Sequence, residues 1–480
     1  MPICQCRVPC THYGAGGTLA SASIPEASAR GVRKMQQRLV VGLDIGSSKM
    51  CVTVATLDDQ GGARYVAHGS TPSDGMIAGE IVDAGAFSGA LRLALEEAQR
   101  LGGGSVTDLY VSVAGVRFTP HERTGRLDHG AIAAFTRTDV MRALPDPGQH
   151  DARSQTTVHR VVKIVEIDGE EVDDPHGLRG RSLVVRTRDY TAPKSLVDAV
   201  TTAAEATGRR VQAIVPTGVA SAAAALTEAE RRLGVAVIDI GYTSTDIAVY
   251  CAGVLHGLTS VPIGGYHLSA DLAQLLDIPI GDAERWKRVY GVVNPLQNPE
   301  LDLGARTIAG WQRQAQHGDA PREAIQTIAG ARLVQLFAEI GDWLKSQHFL
   351  ESILAGVVLS GGGARLAGIE EVAHAVLGCE VRAGGVVAGD GFPAIPDPSV
   401  TASVGLVRYC VSRATRAAPR RPASRIEHRD SPYPATYDWH GGQEPVGGNR
   451  LIHNGERSDT RHWGRSVTRW MREFIPARGG

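Results

Sequence analysis

Residues 237–250 read VIDIGYTSTDIAVY, and residues 42–55 read GLDIGSSKMCVTVA. Each places an apolar strand before Asp-Ile-Gly, then small hydroxyl-bearing residues, then a β-branched strand. Each therefore reads as a hairpin whose turn offers backbone N–H groups and hydroxyls to an anion. The two copies lie much further apart than the ~20–50 residues of a solenoid repeat, so they predict two similar lobes. One such turn is weak evidence, because Asp-Gly at a strand end is often only a turn. Two in the same strand context are much stronger.

The residue types in the turns point to phosphate chemistry. Gly46 lets the backbone approach closely, Ser47 and Ser48 supply donors, and Lys49 supplies a counter-charge. Gly241, Thr243, Ser244 and Thr245 do the same from the second copy without a cation. Asp44 and Asp239 are expected to face each other across a cleft, where two carboxylates beside a polyphosphate suit a water-rich Mg²⁺ site. A third element, Leu359-Ser360-Gly361-Gly362-Gly363-Ala364-Arg365, follows a buried strand. Bare backbone at Gly361, Gly362 and Gly363 would let a flat group such as adenine lie against it, with a helix start and Arg365 beside anionic groups. Three glycines alone are more often a flexible turn; their order after two phosphate-type hairpins raises the functional reading.

Working outward, Ala84–Arg100 shows apolar residues at helical spacing and ends at the glycines of 102–104. Asp108–Val116 reads as a strand. Residues 115–187 are more polar and are broken by Pro145, Pro147 and Pro175, as an inserted subdomain would be. Helix, strand and helix are expected at Lys194–Thr207, Val211–Val215 and Val219–Glu230, and a helical region over 266–353. Residues 413–460 hold many arginines, prolines and glycines and few apolar residues, which predicts a disordered linker.

Past the linker, Trp463, Val467, Trp470, Met471 and Phe474 fall on one helical face. Arg461, Arg465, Arg469 and Arg472 fall on the other. Aromatics opposite arginines are the pattern of a helix lying in a membrane interface, here over 461–476. The competing reading is a helix docked on the protein's own core.

Composition sets limits. The 480 residues are 43% hydrophobic and 21% charged, with a formal net charge of −1, so nothing global points to nucleic acid. No apolar run approaches the ~20 residues of a spanning helix, and the N-terminus lacks the apolar core of a signal peptide. Cys4, Cys6 and Cys10 crowd the N-terminus with His12, at a spacing atypical for zinc, and the expectation there is an unstructured extension with Met35 as an alternative start. Cys51, Cys251, Cys379 and Cys410 lie singly, which fits a reducing cytoplasm.

These motifs together resemble the actin–sugar kinase–heat-shock chaperone superfamily, and more finely the bacterial FtsA family. GLDIGSSK, GEIVDA, ASAAAALTEAERRLGVAVIDIG, VPIGGYHLSADLA, AERWKRVYG, VVLSGGGARLAGIEE and DPSVTASVGLVRY look like FtsA signatures in the right order over about 39–411. The resemblance implies an α/β, actin-like two-lobed fold of duplicated RNase H-like domains, with an FtsA-type 1C insert and a C-terminal amphipathic helix. On it, 1–37 is an extension, 38–114 and 188–232 form subdomain 1A, 115–187 subdomain 1C, 233–261 and 354–411 subdomain 2A, and 262–353 subdomain 2B. The linker is then 412–460.

The function it implies is a cell-division protein that binds ATP with Mg²⁺ and assembles into actin-like filaments. It would tether the tubulin-like polymer FtsZ to the inner face of the cytoplasmic membrane at the septum, as a peripheral protein on anionic lipids. Subdomain 1C would recruit later divisome proteins. In that family the FtsZ C-terminal tail binds subdomain 2B, and Arg332 matches the position that pairs with the acidic tail.

Two departures stand out. Tyr242 and Thr243 replace glycines common in relatives, and Thr217 stands where related ATPases often place a water-orienting Gln or Glu. The expectation is nucleotide binding with weak or no hydrolysis. The alternatives are a pilus-assembly protein of the same fold (PilM-like) and a small-molecule kinase, for which no catalytic carboxylate motif is found. A heat-shock chaperone is not expected, because no peptide-binding domain is read after residue 411.

Overall fold

A computed structural model describes residues 38–58, 62–146, 154–291, 293 and 305–417. The linker, the 461–476 helix with its tryptophans and arginines, and the N-terminal cysteines lie outside the described residues. Strands β1 (Arg38–Ile45), β2 (Lys49–Leu57) and β3 (Ala63–Pro72) form an antiparallel meander. After β4 (Met76–Ile77), β5 (Glu80–Ile81) and helix α1 (Ala84–Gly102) comes β6 (Asp108–Val113), which returns parallel to β1. The meander is local, whereas a parallel return needs a crossover, and α1 provides it. Asp83 caps α1 by accepting from the Ala86 N–H at 2.9 Å, and Gly103 ends it in the left-handed region at φ 63°.

A four-stranded antiparallel sheet is inserted next. It contains β7 (Thr119–Ala134), β8 (Gln155–Ile167), β9 (Glu170–Glu171) and β10 (Arg179–Pro193), in the order β7-β10-β8-β9, with α2 (Arg137–Ala143) against it. Strand β10 runs on past residue 187 to Pro193 and leads into α3 (Lys194–Glu205). Strand β11 (Arg210–Pro216) then completes the first five-stranded sheet, β11-β6-β1-β2-β3.

Helix α4 (Thr217–Ala225) and helix α5 (Glu228–Leu233) lie where a single helix over Val219–Glu230 is expected. The break has a local cause: Thr227 and Glu230 form a capping box that starts a new helix.

The second lobe repeats the first. Strands β12 (Val235–Ile240), β13 (Thr245–Cys251) and β14 (Val254–Val261) form the meander. A helical region intervenes, of α6 (Gly265–Leu276), α7 (Ile280–Tyr290), α8 (Ala305–Gln316) and α9 (Arg322–Ser346). Strand β15 (Val357–Ser360), α10 (Ile369–Leu377) and β16 (Val381–Ala383) follow, giving the order β14-β13-β12-β15-β16. Order and direction match the first sheet strand for strand.

The central strands are apolar on both faces because both faces are covered; every residue of β12 is buried. Helix α4 packs on the second sheet, while the final helix α11 (Thr401–Ala417) packs on the first. The two helices cross closely: a Cβ at Gly405 would lie 1.8 Å from the Ala220 carbonyl, so only glycine fits.

Candidate functional site

Both Asp-Ile-Gly turns sit at the carboxyl ends of their central strands, the end at which open α/β sheets present ligand sites. They meet across a cleft of about 530 Å³. Asp44, Gly46, Ser47, Ser48, Lys49, Asp239, Gly241, Thr243, Ser244, Gly361, Gly362, Gly363 and Arg365 all line it. Thr245 does not. It begins β13, is fully buried, and its hydroxyl donates to the Ile263 carbonyl at 2.7 Å, so its expected place among the phosphate donors is corrected to a structural one.

The hairpins touch directly. The Ser47 and Thr243 hydroxyls are 2.7 Å apart, and the Ala78 N–H reaches both, at 3.3 and 3.2 Å. Lys49 Nζ donates to the Ser399 carbonyl at 3.3 Å, at the turn that precedes α11. Arg365 lies at the rim, 4.0 Å from Asp397.

The glycines of the third element have distinct roles. At Gly361, with φ 83°, a Cβ would stand 2.5 Å from both Asp239 Oδ1 and the Ile240 carbonyl. At Gly363 it would lie 2.4 Å from Ile240 Cγ2, whereas Gly362 faces open space. The backbone is thereby pressed against β12, leaving a bare surface on the cleft side.

The carboxylates carry the electrostatic signature of the site. Burial raises the Asp44 carboxyl, against a 2.6 Å hydrogen bond from Ser112 and the charge of Lys49. Burial, and then the neighbouring Asp44 charge, push Asp239 up to about 7, against hydrogen bonds from Ser221 and Ser360. Behind it, burial and then Asp239 push Asp246 up to about 8, although the Gly115 N–H donates to it at 3.1 Å. Acids whose ionised forms are disfavoured by burial and then by neighbouring acids are what a divalent cation would ionise. Among the described residues no group of three or more His, Cys, Asp or Glu could cage a metal. Two carboxylates with water and phosphate oxygens suit Mg²⁺ better than a protein cage.

A further wall went unread in the sequence. Glu284, Lys287 and Arg288 of α7 line the cleft. Glu284 accepts from Ser269 at 2.5 Å, from Lys287 at 2.7 Å and from Arg288 at 2.7 Å. Burial raises its carboxyl, but these donors hold it below its ordinary value. Lys287 also donates to the Gly265 carbonyl at 2.7 Å, and burial lowers its pKa. The AERWKRVYG phrase contains all three, but they sit more than thirty positions beyond the second hairpin and no local pattern ties them to it.

Arg332 is not an exposed cation awaiting a partner. Its Nε and Nη2 each donate to Asp271 at 2.6 Å, and its Nη1 donates to Gln335 at 2.7 Å. The side chains of the pair are 12% and 4% exposed. An Arg332→Glu exchange would set two acids face to face, so it perturbs folding before it reports on any peptide.

The sequence comparisons converge. The family model "Cell division protein FtsA" matches residues 236–405. FtsA of Rhizobium meliloti is 29% identical over 387 residues, 78% of this chain and 87% of the relative. FtsA of Escherichia coli K12 is 27% identical over 394 residues, 79% of this chain and 91% of the relative. The chain is similar to FtsA proteins over about four-fifths of its length. The two matching five-stranded sheets fit the two-lobed arrangement that this resemblance implies. Among solved structures, a PilM–PilN type IV pilus biogenesis complex is 16% identical with TM-score 0.49, over 78% of this chain and 98% of that one. MreB5 of Spiroplasma citri bound to ADP is 13% identical with TM-score 0.44, over 79% and 98%.

Proposed function

We propose that this FtsA-like chain binds ATP with Mg²⁺ in the cleft and uses the bound nucleotide to assemble into actin-like filaments. Those filaments tether FtsZ to the inner face of the cytoplasmic membrane at the division septum. The observation that carries the reading is the meeting of two Asp-Ile-Gly hairpins, one with a lysine, around a carboxylate pair and a bare glycine backbone. Asp44 and Asp239 would hold Mg²⁺, which would neutralise phosphate charge. Ser47, Ser48, Lys49, Thr243 and Ser244 would orient the phosphates. Gly361–Gly363 would lie against the base, with Arg365 at the rim. With Asp44 and Asp239 committed to Mg²⁺ and Glu284 occupied by three donors, none of the described carboxylates lining the cleft is left as a base, and hydrolysis is therefore weak or absent.

The inserted sheet serves as subdomain 1C and recruits later divisome proteins. The α6–α9 region serves as subdomain 2B and receives the FtsZ tail, by a contact other than a free Arg332. Residues 461–476 serve as a membrane-surface helix, and no described helix is long and apolar enough to cross a bilayer. One short helix binds weakly, so many copies in a filament are needed to hold.

The test is pelleting of the full chain with anionic vesicles, ATP and purified FtsZ. Chain and FtsZ should sediment together, and Trp470→Glu should release both while leaving nucleotide binding intact. Sedimentation of the Trp470→Glu chain with the vesicles, or of the chain without FtsZ, contradicts the reading.

A further inference from the structure

A buried hydroxyl without a partner has lost its water and gained nothing in return. Among the described residues with such an unpaired buried atom, Thr217 alone lines the cleft. It is 2% exposed. Deeper in a helix, a threonine hydroxyl bonds the carbonyl three or four residues back. Thr217 is the first residue of α4, where no such helical carbonyl exists. The residue before it, Pro216, forms no side-chain cap, so nothing from that position covers the first-turn amides.

Position in the helix directs the hydroxyl. Residues four apart share a helix face, so Thr217 lies one turn before Ser221, whose hydroxyl donates to Asp239. One hydroxyl of the stripe is satisfied by Asp239 and the other is not. A threonine in a helix divides between two χ1 wells, so its hydroxyl can turn without backbone movement. An uncapped helix N-terminus adds unpaired N–H groups and partial positive charge. Together these form a donor set for an anionic oxygen. Asp44 and Asp239 close by would repel a bare anion. The matching ligand therefore brings a divalent cation with it.

We infer that Thr217 and the first turn of α4 hold the terminal phosphoryl group of a nucleoside triphosphate, so that this residue sets the preference for tri- over diphosphate. The inference rests on the nucleotide reading of the cleft. An uncharged hydroxyl takes no proton from water near pH 7, so Thr217 acts as a binding residue and not as a base.

Equilibrium titration of the full chain with Mg²⁺ and either ADP or a non-hydrolysable ATP analogue tests it. Thr217→Val removes the hydroxyl at nearly constant volume, with Thr217→Ala as a second deletion and Thr217→Ser keeping the hydroxyl. Both deletions should weaken the analogue about tenfold, equivalent to ~1.4 kcal/mol, and leave ADP unchanged. Thr217→Ser should keep the parent's ratio. An unchanged ratio in the deletions, or equal loss for both nucleotides, overturns the inference while the cleft still binds. Failure of the unsubstituted chain to bind either nucleotide overturns the nucleotide reading itself and this inference with it.

Discussion

In the first lobe the turn after Asp44 carries a cation, Lys49, and the aspartate is held by one hydroxyl, Ser112. In the second lobe the turn after Asp239 has no cation, and the aspartate is held by two hydroxyls, Ser221 and Ser360. A second buried acid, Asp246, stands opposite Asp239 in the β12–β13 register. The backbones are duplicates, but the chemistry is divided. One hairpin supplies positive charge near a partly solvated acid, and the other stores desolvated acids beneath a glycine turn. Duplication fixes where the groups meet, and divergence sets what each contributes.

The glycines break this comparison most strongly. Gly361→Ala should cost ~2–4 kcal/mol, from left-handed strain and contact with Asp239 and Ile240. Gly46→Ala, whose Cβ would meet only the Lys49 carbonyl at 2.9 Å, should cost about 1 kcal/mol. Denaturant unfolding of both variants checks the difference, and equal losses would remove the asymmetry.

The acids give a pH signature. Folded Asp239 and Asp246 have pKa values near 7 and 8, above the ordinary 3.8, so over that window the native chain keeps protons that the unfolded chain has lost. Their joint contribution therefore falls as pH rises from about 4 to about 8, and is flat above that. Asp246→Asn should gain on the parent across this window by up to ~1.4 kcal/mol per pH unit. Mg²⁺ should shrink the gain by favouring the ionised pair. Thermal unfolding from pH 5 to 8 reads both effects; a gap independent of pH would show that the acids titrate normally.

The fold was legible where its signals are local. Apolar strand, Asp-Ile-Gly and hydroxyl turn appear twice within short windows, and the meander order follows from hairpin geometry. The α4–α5 break is also legible, since Thr227 and Glu230 are a Thr-x-x-Glu capping signal, although the apolar period runs on across it. Contacts between distant segments were not. Asp271 pairs with Arg332 from another helix, and neither residue's neighbours reveal the other. Thr245 looks like one more turn hydroxyl in sequence, and only the Ile263 carbonyl, brought alongside by β14, makes it structural. The α7 wall belongs to the same class.

The central claim is that the two hairpins build one nucleotide site, and calorimetric titration of the full chain with ATP in Mg²⁺ tests it most directly. One nucleotide should bind per chain. Lys49→Met in the first hairpin and Asp239→Asn in the second should each weaken binding by about tenfold or more, the scale of a lost charged contact at ~1.5–3 kcal/mol. Binding that is absent, or that survives either substitution unchanged, would contradict the account.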